Sequence, residues 1–231
     1  MIRRLTLDWP RPPAGPARST DCIRLLAVSD ERERALADAR NRAGIEPVDA
    51  ILGCGDLEPD YLAFLGDAFH CPLIYVRGNH DRGGAWEHGQ HTAPVPLGAR
   101  FERICGLTVA GLSWPSWSGG RAVRSEFAAW QQVLDLWLRV RLDGPAPQIV
   151  LSHVPPREFG DVAADPYHTG FAAYRWLCRR LNPLLWLHGH TTIAAADHWR
   201  TQLGPTTLLN VTGAVLIRLQ AAPGWRDGGP S

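Results

Sequence analysis

Short apolar runs alternate along the chain with longer segments in which apolar residues recur at helical spacing. The apolar runs cover residues 23–28, 50–52, 72–76, 148–151 and 184–187. Helical spacing is found over residues 31–42, 59–69, 123–142 and 171–181. Short runs of this kind are typical of buried strands, and apolar residues three or four apart are typical of helices. The alternation predicts strand–helix–strand units and therefore an α/β fold.

The two ends of the chain differ from this central pattern. Residues 10–20 are rich in Pro and Gly, so we expect an irregular N-terminal arm over residues 1–20 and a flexible tail over residues 221–231. Residues 206–210 and 214–219 form short apolar runs around Thr212 with no long helix between them. We expect these two runs to form an antiparallel second sheet within one domain that spans residues 1–231.

Composition restricts the classes of function. A chain of 231 residues that is 45% hydrophobic can form one domain with a large core. The formal net charge of +1 gives no overall attraction to nucleic acid or to an anionic membrane, so a small substrate is favoured. No apolar run approaches the ~18 residues of a membrane span. The five widely spaced cysteines contain no CxxC pair, which favours a reducing compartment and a cytoplasmic location.

Polar residues with metal-binding side chains follow each of the five apolar runs. They are Asp30, Asp56, Asn79, His153 and His190. In open α/β sheets ligands bind beyond the carboxyl ends of the strands, where these residues fall. Carboxylate and amide oxygens combined with imidazole nitrogens suit zinc or a divalent transition metal. The sequence therefore predicts a metal site at one edge of a sheet.

The segments around these residues carry a family resemblance. In chain order they read Ser29-Asp30, Gly53-Cys54-Gly55-Asp56-Leu57, Gly78-Asn79-His80-Asp81, Leu151-Ser152-His153 and His188-Gly189-His190. Together they resemble the calcineurin-like metallophosphoesterase family over residues 23 to about 213. The resemblance implies a four-layer α/β sandwich in which helices flank two mixed β-sheets.

The resemblance also implies a centre of two divalent ions bridged by Asp56 and a reaction in which a metal-activated water attacks a phosphate ester. One ion would be bound by Asp56, Asn79, His153 and His190, and the other would include Asp30. His80 would act on the leaving oxygen, with Asp81 pairing with its imidazole. We expect Mn²⁺, with Fe, Zn, Ni or Co as other candidates, and one or two ions per chain.

The chain departs from the family at the other ion. The Asp-x-His motif reads Asp30-Glu31-Arg32, and the Gly-His-x-His motif reads Gly189-His190-Thr191-Thr192, so two imidazoles are missing. Three interpretations are open. This ion is absent or weakly bound, or side chains such as Glu31, Glu33 or His168 replace the ligands, or Arg32 acts as a fixed cation for phosphate. Each interpretation predicts weaker or more metal-selective activity than a full two-metal site would give.

A further likeness concerns a prokaryotic branch of the family with an altered first motif. It is carried by residues 54–65, 153–156, 160–161 and 168–171. His168 lies there near the start of the helix predicted over 171–181, a place suited to anions. Arg32 and His168 are therefore candidate substrate contacts.

Three functions remain open from the sequence. The leading hypothesis is a metal-dependent phosphoesterase that acts on a small phosphomonoester or phosphodiester. The first alternative is a catalytically weak or silent phosphoesterase fold that acts as a binding or scaffold protein, motivated by the two missing imidazoles. The second is a nuclease, against which the near-zero net charge argues because polymer binding depends on Lys and Arg.

Overall fold

The computed structural model describes residues 2–9, 22–45, 47–82, 86, 97–142, 144–192 and 199–221. Its strands are β1 (Arg3–Trp9), β2 (Cys22–Ser29), β3 (Ala50–Gly53), β4 (Leu73–Tyr75), β5 (Arg100–Ile104), β6 (Leu107–Leu112), β7 (Trp117–Ser118), β8 (Arg121–Ala122), β9 (Ile149–Ser152), β10 (Leu185–His188), β11 (Arg200–Leu203), β12 (Thr206–Asn210) and β13 (Gly213–Ala221). The helices are α1 (Ala39–Ala43), α2 (Pro59–Phe69), α3 (Glu126–Leu142) and α4 (Ala172–Leu181), with a 3-10 helix at Arg34–Leu36.

The strands form two large mixed sheets. The first has the order β1-β13-β2-β3-β4, and the second has the order β11-β12-β10-β9-β6-β5. β2, β3 and β4 run parallel to one another, as do β6, β9, β10 and β12. The parallel strands of each sheet therefore end at the same edge, which brings together the residues that follow them.

The two sheets pack face to face around the main hydrophobic core. Leu25 and Ala27 of β2 lie in this core with Leu151 of β9 and Leu187 of β10. Because successive side chains of a strand point to opposite faces, Leu26 and the residues in register with it face outward. Burial of both faces explains why these strands read as continuous apolar runs.

Helices cover the outer face of each sheet. Leu62 and Leu65 of α2 pack against Leu26 on the first sheet. Val133 of α3 and Leu177 of α4 pack with residues of the second sheet such as Trp186. The order helix, sheet, sheet, helix confirms the predicted four-layer sandwich.

The predicted helix over residues 31–42 is wrong. The segment contains only the 3-10 helix and α1. Glu33 accepts a hydrogen bond from the Ala35 N–H, and Asp38 accepts one from the Arg40 N–H. Both side chains therefore act as N-caps. Because the Asp38 cap begins a new helix, the segment forms two short helices instead of one long helix.

The irregular arm predicted over residues 1–20 is wrong in part, because Arg3–Trp9 form β1 and pair in parallel with β13. Leu5 and Leu7 alternate there with polar residues, a pattern that predicts a strand with one buried face. Residues 10–20 lie outside the described residues, as do residues 222–231 of the predicted tail.

The expected antiparallel sheet at the C-terminus is also wrong. β12 belongs to the second sheet beside β10, whereas β13 belongs to the first sheet beside β2. The chain crosses from one sheet to the other at Val211 and Thr212, so the crossover lies next to the strand ends. None of the described helices is long and apolar enough to cross a membrane.

Candidate metal centre

The five polar residues predicted at strand ends meet at the shared edge of the two sheets. His153 is at the centre of the group. Its Nε2 atom lies 2.9 Å from Asn79 Oδ1, 3.2 Å from Asp56 Oδ2 and 3.1 Å from His190 Nδ1. Strands of both sheets contribute, since Asp56 and Asn79 follow β3 and β4, and the two histidines follow β9 and β10.

Hydrogen bonds on the far side of each ring fix which nitrogen faces this point. The Nδ1 atom of His153 lies 2.9 Å from the Cys54 carbonyl oxygen, and Nε2 of His190 lies 3.0 Å from the Tyr167 carbonyl oxygen. A carbonyl oxygen only accepts, so the imidazole nitrogen donates in both cases. In the neutral rings, the lone pairs of His153 Nε2 and His190 Nδ1 are therefore directed at the shared point.

The side-chain amide of Asn79 also turns its acceptor atom towards the point that the two imidazoles share. Its Nδ2 donates to the hydroxyl of Tyr167 at 2.9 Å, which leaves Oδ1 facing His153. Four acceptor atoms thus converge: two imidazole nitrogens, one amide oxygen and one carboxylate oxygen. One shared hydrogen cannot satisfy all of them.

A divalent cation fits this set of atoms. Ligand atoms bonded at 2.0–2.2 Å and at right angles lie about 3 Å apart, close to the 2.9–3.2 Å separations around His153 Nε2. Two nitrogen and two oxygen ligands also match the chemistry of zinc and of divalent transition metals. Asp56, Asn79, His153 and His190 are therefore the residues that would hold the ion.

Asp30 lies at the edge of this group. One ligand atom each from Asp30, Asp56 and His153 falls within 4.8 Å of the others. Both carboxylate oxygens of Asp30 lie 3.1 Å from the backbone nitrogen of His190, and Oδ2 accepts from the Thr212 hydroxyl at 3.2 Å. Asp30 thus connects β2 to the segment that carries His190.

The backbone turns sharply where the strands end. Asp30, Asp56 and His190 have φ values of 59°, 54° and 67°, in the left-handed region. For residues other than glycine such conformations cost on the order of 1 kcal/mol each. These conformations reverse the chain direction after each strand, and the three side chains lie together at the shared edge of the sheets.

Two glycines allow the backbone to approach the carboxylates. A Cβ atom on Gly78 would lie against Asp56 Oδ1, and one on Gly189 would lie against Asp30 Oδ2 and Ser29 Oγ. Glycine is needed at these positions because no larger residue leaves room for the carboxylates.

The charges of the site depend on one another. Burial alone would lower the pKa of His153, but the carboxylates of Asp56 and Asp30 outweigh it and raise the pKa to about 9. Burial also acts to raise the pKa of Asp56, but the positive charge on His153 outweighs it, and the pKa falls below its usual value. Burial and the neighbouring His153 charge lower the pKa of His190 to about 3. The acidic groups therefore favour one positive charge at the centre.

The structure does not show the expected pairing of His80 with Asp81. The His80 side chain is 76% exposed, and its Nε2 lies 4.0 Å from Asp56 Oδ2. Asp81 is buried, and its Oδ2 accepts the N–H groups of Asp56 and Gly78 at 2.7 Å each. Asp81 therefore holds two site loops together, and the pairing fails because its carboxylate is turned into the protein.

The candidate substrate contacts lie in different surroundings. His168 is brought to the site, with its ring centroid 5.1 Å from that of His190, and its Nδ1 is hydrogen-bonded to Asp165. Arg32 forms an ion pair with Glu58 and lies over the ring of Tyr61, with 58% of its side chain exposed. The guanidinium of Arg32 therefore binds protein groups at the surface.

Sequence reasoning missed Tyr167 and Thr212 as parts of the site, and it favoured plain core packing for Trp114. Tyr167 contacts Asn79 through its hydroxyl and His190 through its carbonyl, and Thr212 binds Asp30. The buried ring of Trp114 lies 5.8 Å from His190 and 6.5 Å from His153. Thr212 and Trp114 follow the ends of β12 and β6, but their side chains are not typical metal ligands. Tyr167 follows no strand, and its only signal in the sequence is the neighbouring His168.

The family assignment follows from the comparisons with known proteins. The chain belongs to the calcineurin-like phosphoesterase family, whose model matches residues 26–193. This match confirms the family resemblance noted in the sequence. The family consists of metal-dependent hydrolases. No curated protein is significantly similar to the chain in sequence.

Several solved structures are similar to this chain. The protein TT1561 of Thermus thermophilus has a TM-score of 0.55 and 20% identity, with 83% of this chain and 89% of that chain covered. GAP50, the anchor in the inner membrane complex of Plasmodium, has a TM-score of 0.50 and 14% identity, with 83% and 71% covered. Vps29 from Cryptosporidium parvum has a TM-score of 0.44 and 15% identity, with 90% and 94% covered. At these identities the likeness to the first two shows the fold alone.

Proposed function

We propose that this protein is a metal-dependent phosphoesterase that hydrolyses a small phosphomonoester or phosphodiester. The observation that carries the proposal is the convergence of Asn79, Asp56 and His190 on Nε2 of His153 within 2.9–3.2 Å. These are the four positions at which the sequence resemblance predicts a complete set of ligands.

The bound ion would act as a Lewis acid on a phosphoryl oxygen and activate water for attack. The protein supplies the orientation of the ligands. The carbonyls of Cys54 and Tyr167 fix the two imidazole tautomers, and outer contacts of this kind usually affect metal affinity tenfold or more. Mn²⁺ is our first candidate for the native ion.

His80 is the candidate general acid. Its backbone N–H donates to Asp56 Oδ1 at 2.8 Å, which anchors the residue beside the ligand set while the imidazole stays exposed. An exposed imidazole at this position can donate a proton to the leaving oxygen of a bound ester. Asp81 supports this indirectly, because it holds the backbone of Asp56 and Gly78 in place.

His168 and the hydroxyl of Tyr167 form part of the surface around the ligand set. Tyr167 is exposed, and its ring centroid lies 5.3 Å from that of His168. Both side chains carry polar groups that can bind phosphoryl oxygens. Arg32 is paired with Glu58 at the surface, and none of its contacts among the described residues is to a residue of the ligand set. His168 is therefore the better supported of the two substrate contacts proposed from the sequence.

A small substrate and a cytoplasmic location complete the proposal. The formal net charge of +1 provides no general attraction for a polyanion, which speaks against a nuclease. All five cysteines are free in the structure, as suits a reducing compartment.

The direct test is hydrolysis of p-nitrophenyl phosphate and of bis(p-nitrophenyl) phosphate by metal-free protein supplemented with Mn²⁺. Wild-type protein should be active only with the ion, and Asn79→Ala and His80→Ala should both lose most of the activity. Equal rates in all three proteins would overturn the enzymatic proposal and favour a binding or scaffold role.

A further inference from the structure

We infer that the centre holds one divalent ion, bound by Asp56, Asn79, His153 and His190, and that Asp30 positions His190 instead of binding a second ion. This inference rests on the proposed function but concerns the number of ions and the role of Asp30. It departs from the two-ion centre that the family resemblance implies.

The described ligand atoms converge on one point. His153 Nε2 is within 3.2 Å of an atom from each of the other three residues. Asp56 turns Oδ2 towards His153, while its Oδ1 accepts the His80 N–H at 2.8 Å. One oxygen of the would-be bridging carboxylate therefore already accepts a hydrogen bond from the protein backbone.

Asp30 already has donors from the protein. The His190 N–H lies 3.1 Å from both of its oxygens, and the Thr212 hydroxyl adds a bond of 3.2 Å to Oδ2. Gly189 leaves no space for a Cβ between its backbone and Asp30 Oδ2, so the carboxylate is packed against that backbone. These contacts hold the loop that carries His190, whose Nδ1 belongs to the ligand set.

The two positions where imidazoles are missing provide no replacement ligand. Arg32 has no acceptor atom, and it is paired with Glu58. Thr192 is exposed. A second ion would therefore have only Asp30 and Asp56 from the family's motif positions.

The side chains considered as substitutes are also placed differently. Glu33 caps the 3-10 helix through the Ala35 N–H, and Glu31 is exposed. His168 uses Nδ1 for Asp165, and its ring lies beside His190. Among the described residues, the one group of three or more His, Cys, Asp or Glu with converging ligand atoms is Asp30, Asp56 and His153. It shares Asp56 and His153 with the four-residue set but contains Asp30 in place of His190. The Asp30 oxygens in this group already accept hydrogen bonds from His190 and Thr212.

The number of ions can be measured without any assay of activity. Metal-free protein is dialysed to equilibrium against Mn²⁺, the bound metal is counted by mass spectrometry, and the electron paramagnetic resonance spectrum is recorded. We expect one ion per chain and the spectrum of isolated Mn²⁺. Two tightly bound ions with the spectrum of a coupled pair would overturn the inference and leave the proposed function standing. The absence of any bound ion would overturn both.

Two single variants separate the roles of the residues. Asp30→Asn keeps an oxygen that can accept the His190 N–H, and Asn tolerates the left-handed backbone at this position. It should still bind one ion, whereas Asn79→Ala removes a ligand and should weaken binding by more than the roughly 10–100-fold typical of a lost outer contact. Complete loss of the ion in folded Asp30→Asn would show that Asp30 is a ligand and contradict the inference.

Discussion

Nε2 of His153 and Nδ1 of His190 lie 3.1 Å apart, and a backbone carbonyl behind each ring holds it in this orientation. Two imidazole lone pairs this close repel each other unless a positive charge lies between or on them. The negative carboxylate of Asp56, 3.2 Å from His153 Nε2, stabilises a positive charge at this position. The geometry of the protein is therefore already arranged for a cation, and this relationship underlies the predictions that follow.

Replacement of His80 should separate chemistry from metal binding. His80→Gln removes the exposed imidazole but leaves the backbone N–H that donates to Asp56. Because general acid catalysis typically contributes 10²–10⁴-fold, we expect kcat with Mn²⁺ to fall by about 100-fold or more. Metal affinity measured by calorimetry should stay unchanged. A variant with full kcat would remove His80 from the mechanism.

Gly78→Ala should damage the centre through packing alone. The added Cβ would lie against Asp56 Oδ1, and overpacking of this kind typically costs about 1–3 kcal/mol of unfolding free energy. Metal affinity should fall as well, since the carboxylate must move. Urea unfolding and a Mn²⁺ titration measure the two effects.

Gly66→Ala is the matched control, because the residue is within α2 and its added Cβ would meet no atom within 4 Å outside the adjoining residues and helix backbone. Replacing Gly by Ala inside a helix typically adds about 0.5–1 kcal/mol of stability. Metal affinity should not change. Equal Mn²⁺ affinity and equal unfolding free energy in Gly78→Ala and Gly66→Ala would show that the close approach of Gly78 to Asp56 is not needed for the site.

Tyr167→Phe should weaken metal binding without removing a ligand. The phenol hydroxyl accepts the Asn79 amide hydrogen and so keeps Oδ1 turned towards His153. Loss of such an outer contact typically lowers metal affinity about 10–100-fold.

Tyr174→Phe is the corresponding control, since its hydroxyl binds Gln132 and the ring lies in the core beside Trp186. This change should affect stability but not affinity for Mn²⁺. Equal Mn²⁺ affinities for Tyr167→Phe and wild-type protein would mean that Asn79 is oriented by something else.

The sequence predicts the fold and the central residues of the site for a definite physical reason. Asp30, Asp56, Asn79, His153 and His190 each follow a buried strand, and parallel strands end at a common edge. The structure brings these residues together, although their role as metal ligands stays a prediction.

Other features depend on contacts between distant segments. The placement of β12 and β13 in different sheets is a choice of pairing partner, which local pattern does not contain. That choice also brings Thr212 to Asp30. The position of Tyr167 depends on how residues 161–170 fold over the sheet edge, and the inward turn of Asp81 depends on backbone N–H groups of two loops. Periodicity alone cannot reveal such contacts.

The most direct measurement is a calorimetric titration of metal-free protein with Mn²⁺ for wild type, His153→Ala and His188→Ala. His153 and His188 are both buried, and both follow or end strands of the second sheet, so the two changes remove similar volumes from similar places. The four-residue centre predicts that wild type and His188→Ala bind Mn²⁺ and that His153→Ala, shown to be folded by circular dichroism, does not. Equal Mn²⁺ affinity in all three proteins would contradict the account.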